Sequence, residues 1–186
     1  CYITPLPNTL INRIRRYPSF QALSQPSDLV IMTNDGTFGK QLLERLHNPT
    51  PVLFLRNGLE LMARDIPAMK RDFDVAALRE SLGVDREETM FVSVSRLGGM
   101  KRVDRIVAGF AEYCRYCPEG KLVIVGGGET PGPQLELEHQ AAVLGVSERV
   151  IFTGAVPHNN VYDYMMAADI FISLYDYSNV GNPLLE

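Results

Sequence analysis

The sequence predicts an α/β protein in which helices cover both faces of parallel sheet. Three observations carry that reading. Short apolar runs of strand length, rich in Val, Ile and Phe, recur along the chain. Segments with apolar residues at helical spacing separate them. The runs lead into glycine-bearing or polar loops. Strand–helix alternation of this kind predicts parallel strands joined by helical crossovers. In such sheets ligands sit beyond the carboxyl ends of the strands.

Taken in order, residues 8–24 read as a helix, with Leu10, Ile11, Ile14 and Tyr17 on one side and Arg13, Arg15 and Arg16 largely elsewhere. Those arginines form a solvated face or touch anionic lipid. Pro26 and Ser27 end the segment. Asp28–Met32 is a strand, Thr37–Leu46 a helix and Pro51–Leu55 a second strand. Asn57-Gly58 marks a turn. Residues 61–72 have no clear period and contain Pro67, so a domain boundary is expected near residues 60–75. Asp74–Leu82 is a helix capped by Gly83. A strand follows over 90–95, then a helix over Asp104–Tyr116 stopped by Pro118 and Gly120. Next come a strand over Lys121–Val125, a helix over 134–144 ending at Gly145, and a strand over Val150–Thr153. Asn159 or Asn160 is placed to cap a short helix through Met166. Asp169–Ser173 is the last strand, and Tyr175–Asn182 a polar loop before Pro183.

Composition narrows the function classes. The 186 residues suffice for one domain or parts of two, and 46% hydrophobic content supports a core. A net charge of −4 argues against a nucleic-acid binder. No apolar run reaches the roughly 18–20 residues of a membrane span. Cys114 and Cys117 form a C-x-x-C pair late in a helix, with no second Cys or His pair at ligand spacing, so no metal site is expected. The chain starts at Cys1, with no basic and apolar leader, and stops at Glu186 in a helical first turn. The expectation is a fragment of a longer protein, inactive by itself.

The chemistry concentrates over residues 91–105. A buried strand runs into Gly98-Gly99, and a helix follows with Val103, Ile106, Val107 and Phe110 on one face. Arg96 and Lys101 flank the glycines. Small residues and two cations at a strand's carboxyl end suit a ligand carrying phosphates. Solvated charges beside an ordinary turn are the plainer alternative. Gly126-Gly127-Gly128 invites a dinucleotide reading, but G-x-G-x-x-G from Gly126 needs glycine where Pro131 stands, and from Gly127 its second glycine falls on Glu129. The expected ribose-binding acid is also missing, since the next strand ends in Thr153-Gly154. Finally, residues 178–186 form a glycine-bearing loop entering a helix, with Glu186 in its first turn. That carboxylate either accepts two hydroxyls of a vicinal diol, as ribose offers, or complements the helix dipole.

Read together, these segments resemble the family 4 retaining glycosyltransferases of GT-B architecture, which have two Rossmann-like domains. The resemblance runs from about Asp28 to Glu186. It rests on Asn57-Gly58-Leu59-Glu60, Val94-Ser95-Arg96-Leu97 with Lys101, Leu122 to Gly128, Val150 to Gly154, and Ala167 to Ile172. It implies that residues 1–66 end an acceptor-side domain and that 67–186 form a truncated donor-binding domain. Arg96 and Lys101 would bind the donor diphosphate and stabilise it as it leaves. Gly98 and Gly99 belong to the same donor loop. Glu186, second glutamate of the family's Glu-x7-Glu motif, would bind ribose. Gly181 and Asn182 would lie against phosphate and sugar, and Val156 beside the base. The implied reaction moves a sugar from a nucleotide-diphosphate sugar with retention, using no metal and no cofactor beyond the donor substrate. The acceptor would be a sugar, a lipid-linked group or a small molecule. The setting would be cytoplasmic, with peripheral membrane contact where the acceptor is a lipid.

Two positions depart from the family pattern. Ser178 stands where the motif's first glutamate belongs, so Asp176 or Ser178 substitutes for it or the donor differs. Arg102 stands where the family usually has glycine after the lysine. Ser178 keeps open a non-catalytic member that binds a nucleotide or a partner protein. An NAD-linked enzyme is the third reading, opposed by Pro131 and the missing acid.

Overall fold

A computed structural model describes residues 10–33, 39–55, 67–69 and 73–175. They fall into two compact units, 10–55 and 67–175. In the first, helix α1 (Leu10–Ser24) precedes strand β1 (Val30–Thr33), helix α2 (Gly39–Leu46) and strand β2 (Val52–Leu55). The strands pair in parallel, Val30 opposite Val52 and Ile31 opposite Leu53. β1 starts later than Asp28 because pairing begins where the Val30 N–H reaches the Pro51 carbonyl at 2.9 Å. Asn48 ties α1 to α2: its amide donates to the Leu23 carbonyl, and its oxygen accepts the Thr50 N–H at 2.9 Å. The α1 side chains Leu10, Ile11, Ile14 and Tyr17 are exposed.

The second unit contains α3 (Val75–Ser81), β3 (Thr89–Val94), α4 (Val103–Cys114), β4 (Gly120–Val125), α5 (Gly132–Val143), β5 (Val150–Gly154), α6 (His158–Ala167) and β6 (Ile170–Phe171). Its four strands are all parallel in the order β5-β4-β3-β6, so the order reverses at β3. Strand alternation explains the two cores. Phe91, Leu122 and Ile124 face α4 and α5, where Val103, Ile106, Val107, Phe110, Leu137 and Ala141 meet them. Met90, Val92, Val94, Val123 and Val125 face the other way, toward Val161 and Ala167 of α6 and Leu78 of α3. The α4 face expected from its spacing is thus wholly buried. Burial on both faces also explains why these strands read as continuous apolar runs.

Two helices end alike. After α3, Gly83 takes φ +65° and the Val84 N–H reaches back to the Arg79 carbonyl at 2.9 Å. After α5, Gly145 takes φ +72° and Val146 reaches back to Ala141 at 2.9 Å. Each glycine allows a left-handed residue, and each following valine drops into the core. Asp74 caps the other end of α3 by accepting the Ala77 N–H at 2.9 Å. The cap of α6 differs from expectation. Pro157 holds that position without a capping side chain, and Asn159 and Asn160 lie inside the first turn. Among the described residues no helix is long and apolar enough to cross a membrane.

Arg79 joins the amino-terminal edge of this sheet. It donates to the carbonyls of Ala167 and Glu88 and to the Asp169 carboxylate at 3.1 Å. Asp169 in turn accepts the Met90 N–H at 2.8 Å. One side chain, 13% exposed, therefore bonds α6, β6 and the start of β3 together. Arg79→Met leaves these acceptors unpaired and lowers stability by about 2 kcal/mol. Glu112→Ala, which breaks the exposed Glu112–Arg115 pair, changes it by less than about 0.5 kcal/mol. Urea denaturation of the full-length protein separates the two.

Candidate active site

The carboxyl edge of the second sheet is tied loop to loop through the backbone. Beyond β3, Ser95 N–H donates to Val125 at 3.0 Å and Leu97 N–H to Gly127 at 3.0 Å. Beyond β4, Gly126 N–H donates to Gly154 at 3.0 Å. These bonds bring the loops after β3, β4 and β5 side by side, as the strand alternation predicts.

Their closeness requires glycine at one place. A Cβ on Gly126 would lie 2.1 Å from the Ser95 carbonyl oxygen, and its φ of +135° excludes other residues independently. At Gly128 a Cβ would come within 2.8 Å of the Thr130 carbonyl. The triple glycine that fails as a dinucleotide fingerprint is thus a packing device. Between Ile124 and Val125 the pairing with β5 slips by one residue, and Gly154 turns away at φ +69°. Such a bulge bends the end of a strand.

Arg96 and Lys101 stand on the loop that this arrangement fixes. Gly98 and Gly99 between them are exposed, and nothing lies within 4 Å of a Cβ at either. Neither is needed for packing, so both leave open space beside the cations. The helix does not begin at the glycines. Gly99–Lys101 form a single 3-10 turn, Arg102 adopts a left-handed conformation at φ 49°, and only then does α4 start. Glycine would take that conformation without strain. Here the arginine folds onto Asp104, with Nε 2.9 Å from Oδ1 and Nη2 2.7 Å from Oδ2. The hydrogen bond from Arg102 holds the Asp104 carboxyl below the usual carboxylate range.

Lys101 is half-buried. Burial lowers its pKa from the ordinary lysine value, and the nearby Arg96 guanidinium lowers it further. Its Nζ sits 4.0 Å above the centre of the Tyr175 ring, in the segment after β6. β3 and β6 are sheet neighbours at the point where the strand order reverses, the place where α/β sheets hold ligands. The geometry brings two cations to this point, and chemically they can neutralise an anion such as a diphosphate. Val156 is half-buried against the Val92–Val125 core cluster. Ser178, Gly181, Asn182 and Glu186 lie outside the described residues, as does Asn57-Gly58-Leu59-Glu60. Among the described residues no group of three His, Cys, Asp or Glu could hold a metal ion. Sequence reasoning missed Tyr175, whose only signal was an aromatic residue just past an apolar run.

Comparison with known proteins decides the family. The model for "Glycosyl transferases group 1" matches residues 74–186. The chain belongs to this family. It is 32% identical over 130 residues to the alpha-monoglucosyldiacylglycerol synthase of Streptococcus pneumoniae, covering 69% of this chain and 28% of that protein. It is 36% identical over 97 residues to a GDP-mannose-dependent phosphatidylinositol monomannoside mannosyltransferase of Mycolicibacterium smegmatis, covering 52% and 24%. The chain therefore spans about a quarter of the length of these curated relatives. Its fold is similar to that of Anabaena HepE in complex with UDP and glucose, with TM-score 0.71 and 19% identity over 90% of this chain and 43% of that one. The fold class is the expected Rossmann-like α/β fold of GT-B type.

Gly126→Ala is expected to cost at least about 3 kcal/mol through overlap with Ser95 and backbone strain. Ser95→Ala, which removes a hydroxyl buried without a partner among the described residues, is neutral or slightly stabilising. Thermal melts of the two variants test this contrast.

Proposed function

We propose that this chain carries the nucleotide-sugar donor site of a retaining, family 4 glycosyltransferase. The observation that carries the reading is the Arg96–Lys101 pair on the glycine loop after β3, beside the strand-order reversal, in a chain of this family. Residues 67–186 serve as the donor-binding domain, and residues 1–66 as the end of an acceptor-side domain. Arg96 and Lys101 bind the diphosphate. As the bond from the sugar's anomeric carbon to the diphosphate breaks, its electron pair stays on the phosphate oxygen. The two cations offset that growing charge and take the part a metal would otherwise play. The acceptor oxygen bonds to the same carbon on the same face, and its proton passes to the departing phosphate oxygen.

Glu186 binds the ribose hydroxyls, Gly181 and Asn182 lie against phosphate and sugar, and Val156 lies beside the base. Ser178 occupies the position of a sugar-binding glutamate and tunes donor choice. The UDP and glucose held by Anabaena HepE support a nucleotide-sugar donor. The names of the pneumococcal and mycobacterial relatives support a glycolipid acceptor among the candidates. A cytoplasmic enzyme that touches the membrane surface fits such an acceptor.

Titration calorimetry of UDP, GDP, ADP and NAD against the full-length protein tests the reading. One nucleoside diphosphate binds, and Arg96→Ala and Glu186→Ala each weaken it by at least about tenfold. Binding of NAD alone, or of nothing by a folded protein, overturns it; the latter leaves the non-catalytic member. The pH dependence has a defined sign. Because the free protein's Lys101 pKa lies below the ordinary value, its charge is lost early as pH rises. Diphosphate affinity then falls on the alkaline side below the ordinary lysine range, and Lys101→Met removes that limb.

A further inference from the structure

Lys101 presents an electrostatic problem that the donor-site reading does not solve. Its ammonium is half-buried and lies near a second cation, Arg96. Among the described residues no carboxylate pairs with it. Asp104, in the first turn of the helix that follows, is taken by Arg102 at 2.7 Å. An unpaired lysine in this position would swing toward water, away from Arg96, and lose its place in the site. What faces it instead is an aromatic ring, 4.0 Å from Nζ to ring centre. The ring arrives from the segment that follows the neighbouring strand, β6, whose pairing with β3 sets Phe91 opposite Ile170 and Val92 opposite Phe171. The bond from Ile172 N–H to the Val92 carbonyl at 2.8 Å carries the chain onward toward Tyr175.

We propose that Tyr175 is a positioning residue whose ring face holds the Lys101 ammonium where a donor diphosphate meets it. The inference rests on the diphosphate reading of the site and extends it to a residue outside the anion's own contacts. The choice of partner matters physically. A carboxylate in place of the ring would cancel the lysine's charge and repel the incoming phosphates. An aromatic face attracts the cation through its quadrupole and carries no net charge. The lysine is therefore held with both units of positive charge, its own and that of Arg96, still available to the ligand. The hydroxyl has no part in this, because the attraction is to the ring.

The test is nucleoside diphosphate affinity in the full-length protein, measured first for the wild type and then for Tyr175→Leu, Tyr175→Phe and Lys101→Met. Tyr175→Leu is expected to bind about tenfold more weakly. Tyr175→Phe keeps the ring and is expected within about threefold of wild type. In a Lys101→Met background, Tyr175→Leu adds less than about twofold, because the cation it positions is gone. Wild-type affinity in Tyr175→Leu overturns the proposal. Equal losses in the Leu and Phe variants overturn it by assigning the effect to the hydroxyl. An undiminished loss in the Lys101→Met background overturns it by showing that the ring acts elsewhere. If the wild type itself binds no nucleoside diphosphate, the donor-site reading falls and this inference falls with it. That result is told apart from the others by the first measurement.

Discussion

The approach of the Gly126 backbone to the Ser95 carbonyl is the constraint on which the second unit's working edge depends. No side chain fits between these two strands' ends, since even a methyl would stand 2.1 Å from the oxygen. Because the gap is closed, the backbone bonds from Ser95 to Val125 and from Leu97 to Gly127 can form. Those bonds set where the chain leaves β3 and so where Arg96 and Lys101 stand. The site's geometry is thus decided one layer below the charged residues, by peptide groups that touch no ligand. Sites supported by fixed elements hold their groups more narrowly than sites left to free loops.

Opposite ends of the same sheet solve different problems. At the amino-terminal edge the Arg79–Asp169 pair, with its bonds to main-chain carbonyls, closes the structure. Arg79 and Asp169 there satisfy each other and the main chain, and the arrangement serves stability. At the carboxyl edge the half-buried Lys101 has no carboxylate partner among the described residues, and burying an ammonium without one costs stability. Arg102 is the exception, since Asp104 takes its charge. Among the described residues of this loop, that leaves Arg96 and Lys101 without a carboxylate partner. An anion arriving there meets an exposed Arg96 and a half-buried Lys101 on a loop whose path the backbone bonds fix.

Much of this was legible in the sequence, for reasons that mark the boundary of such reading. Local signals carried through: the Val103–Phe110 spacing, the stop signals Gly83 and Gly145, and the apolar runs of β3 and β4 each depend on residues within one or two turns. The loops' shared edge followed from topology. What escaped depends on partners distant in the chain. Arg79 and Asp169 are 90 residues apart and carry no pattern that joins them. The last strand is expected over Asp169–Ser173, yet β6 holds only Ile170 and Phe171, flanked by the Asp169 N–H bond to the Met90 carbonyl at 2.9 Å and the Ile172 N–H bond to the Val92 carbonyl at 2.8 Å. Gly126-Gly127-Gly128 drew a ligand reading when its first member answers a steric demand from another loop. The cap of α6 fell to Pro157 because the chain enters the helix one turn earlier than Asn160 would allow.

Arg102 shows how a non-glycine residue is accommodated in a left-handed turn. A left-handed residue is needed between the 3-10 turn and α4, and glycine fills that role without strain. An arginine there costs about 1 kcal/mol in backbone energy. Its side chain offsets the cost through the two-pronged bond to Asp104, which in turn places a carboxylate in the first turn of α4, where the helix dipole favours it. The turn that presents Lys101 is therefore preserved while its chemistry changes. The same pairing keeps a third cation from competing with Arg96 and Lys101. An arginine in the left-handed position thus ends the 3-10 turn and, through Asp104, has its own charge answered within the loop.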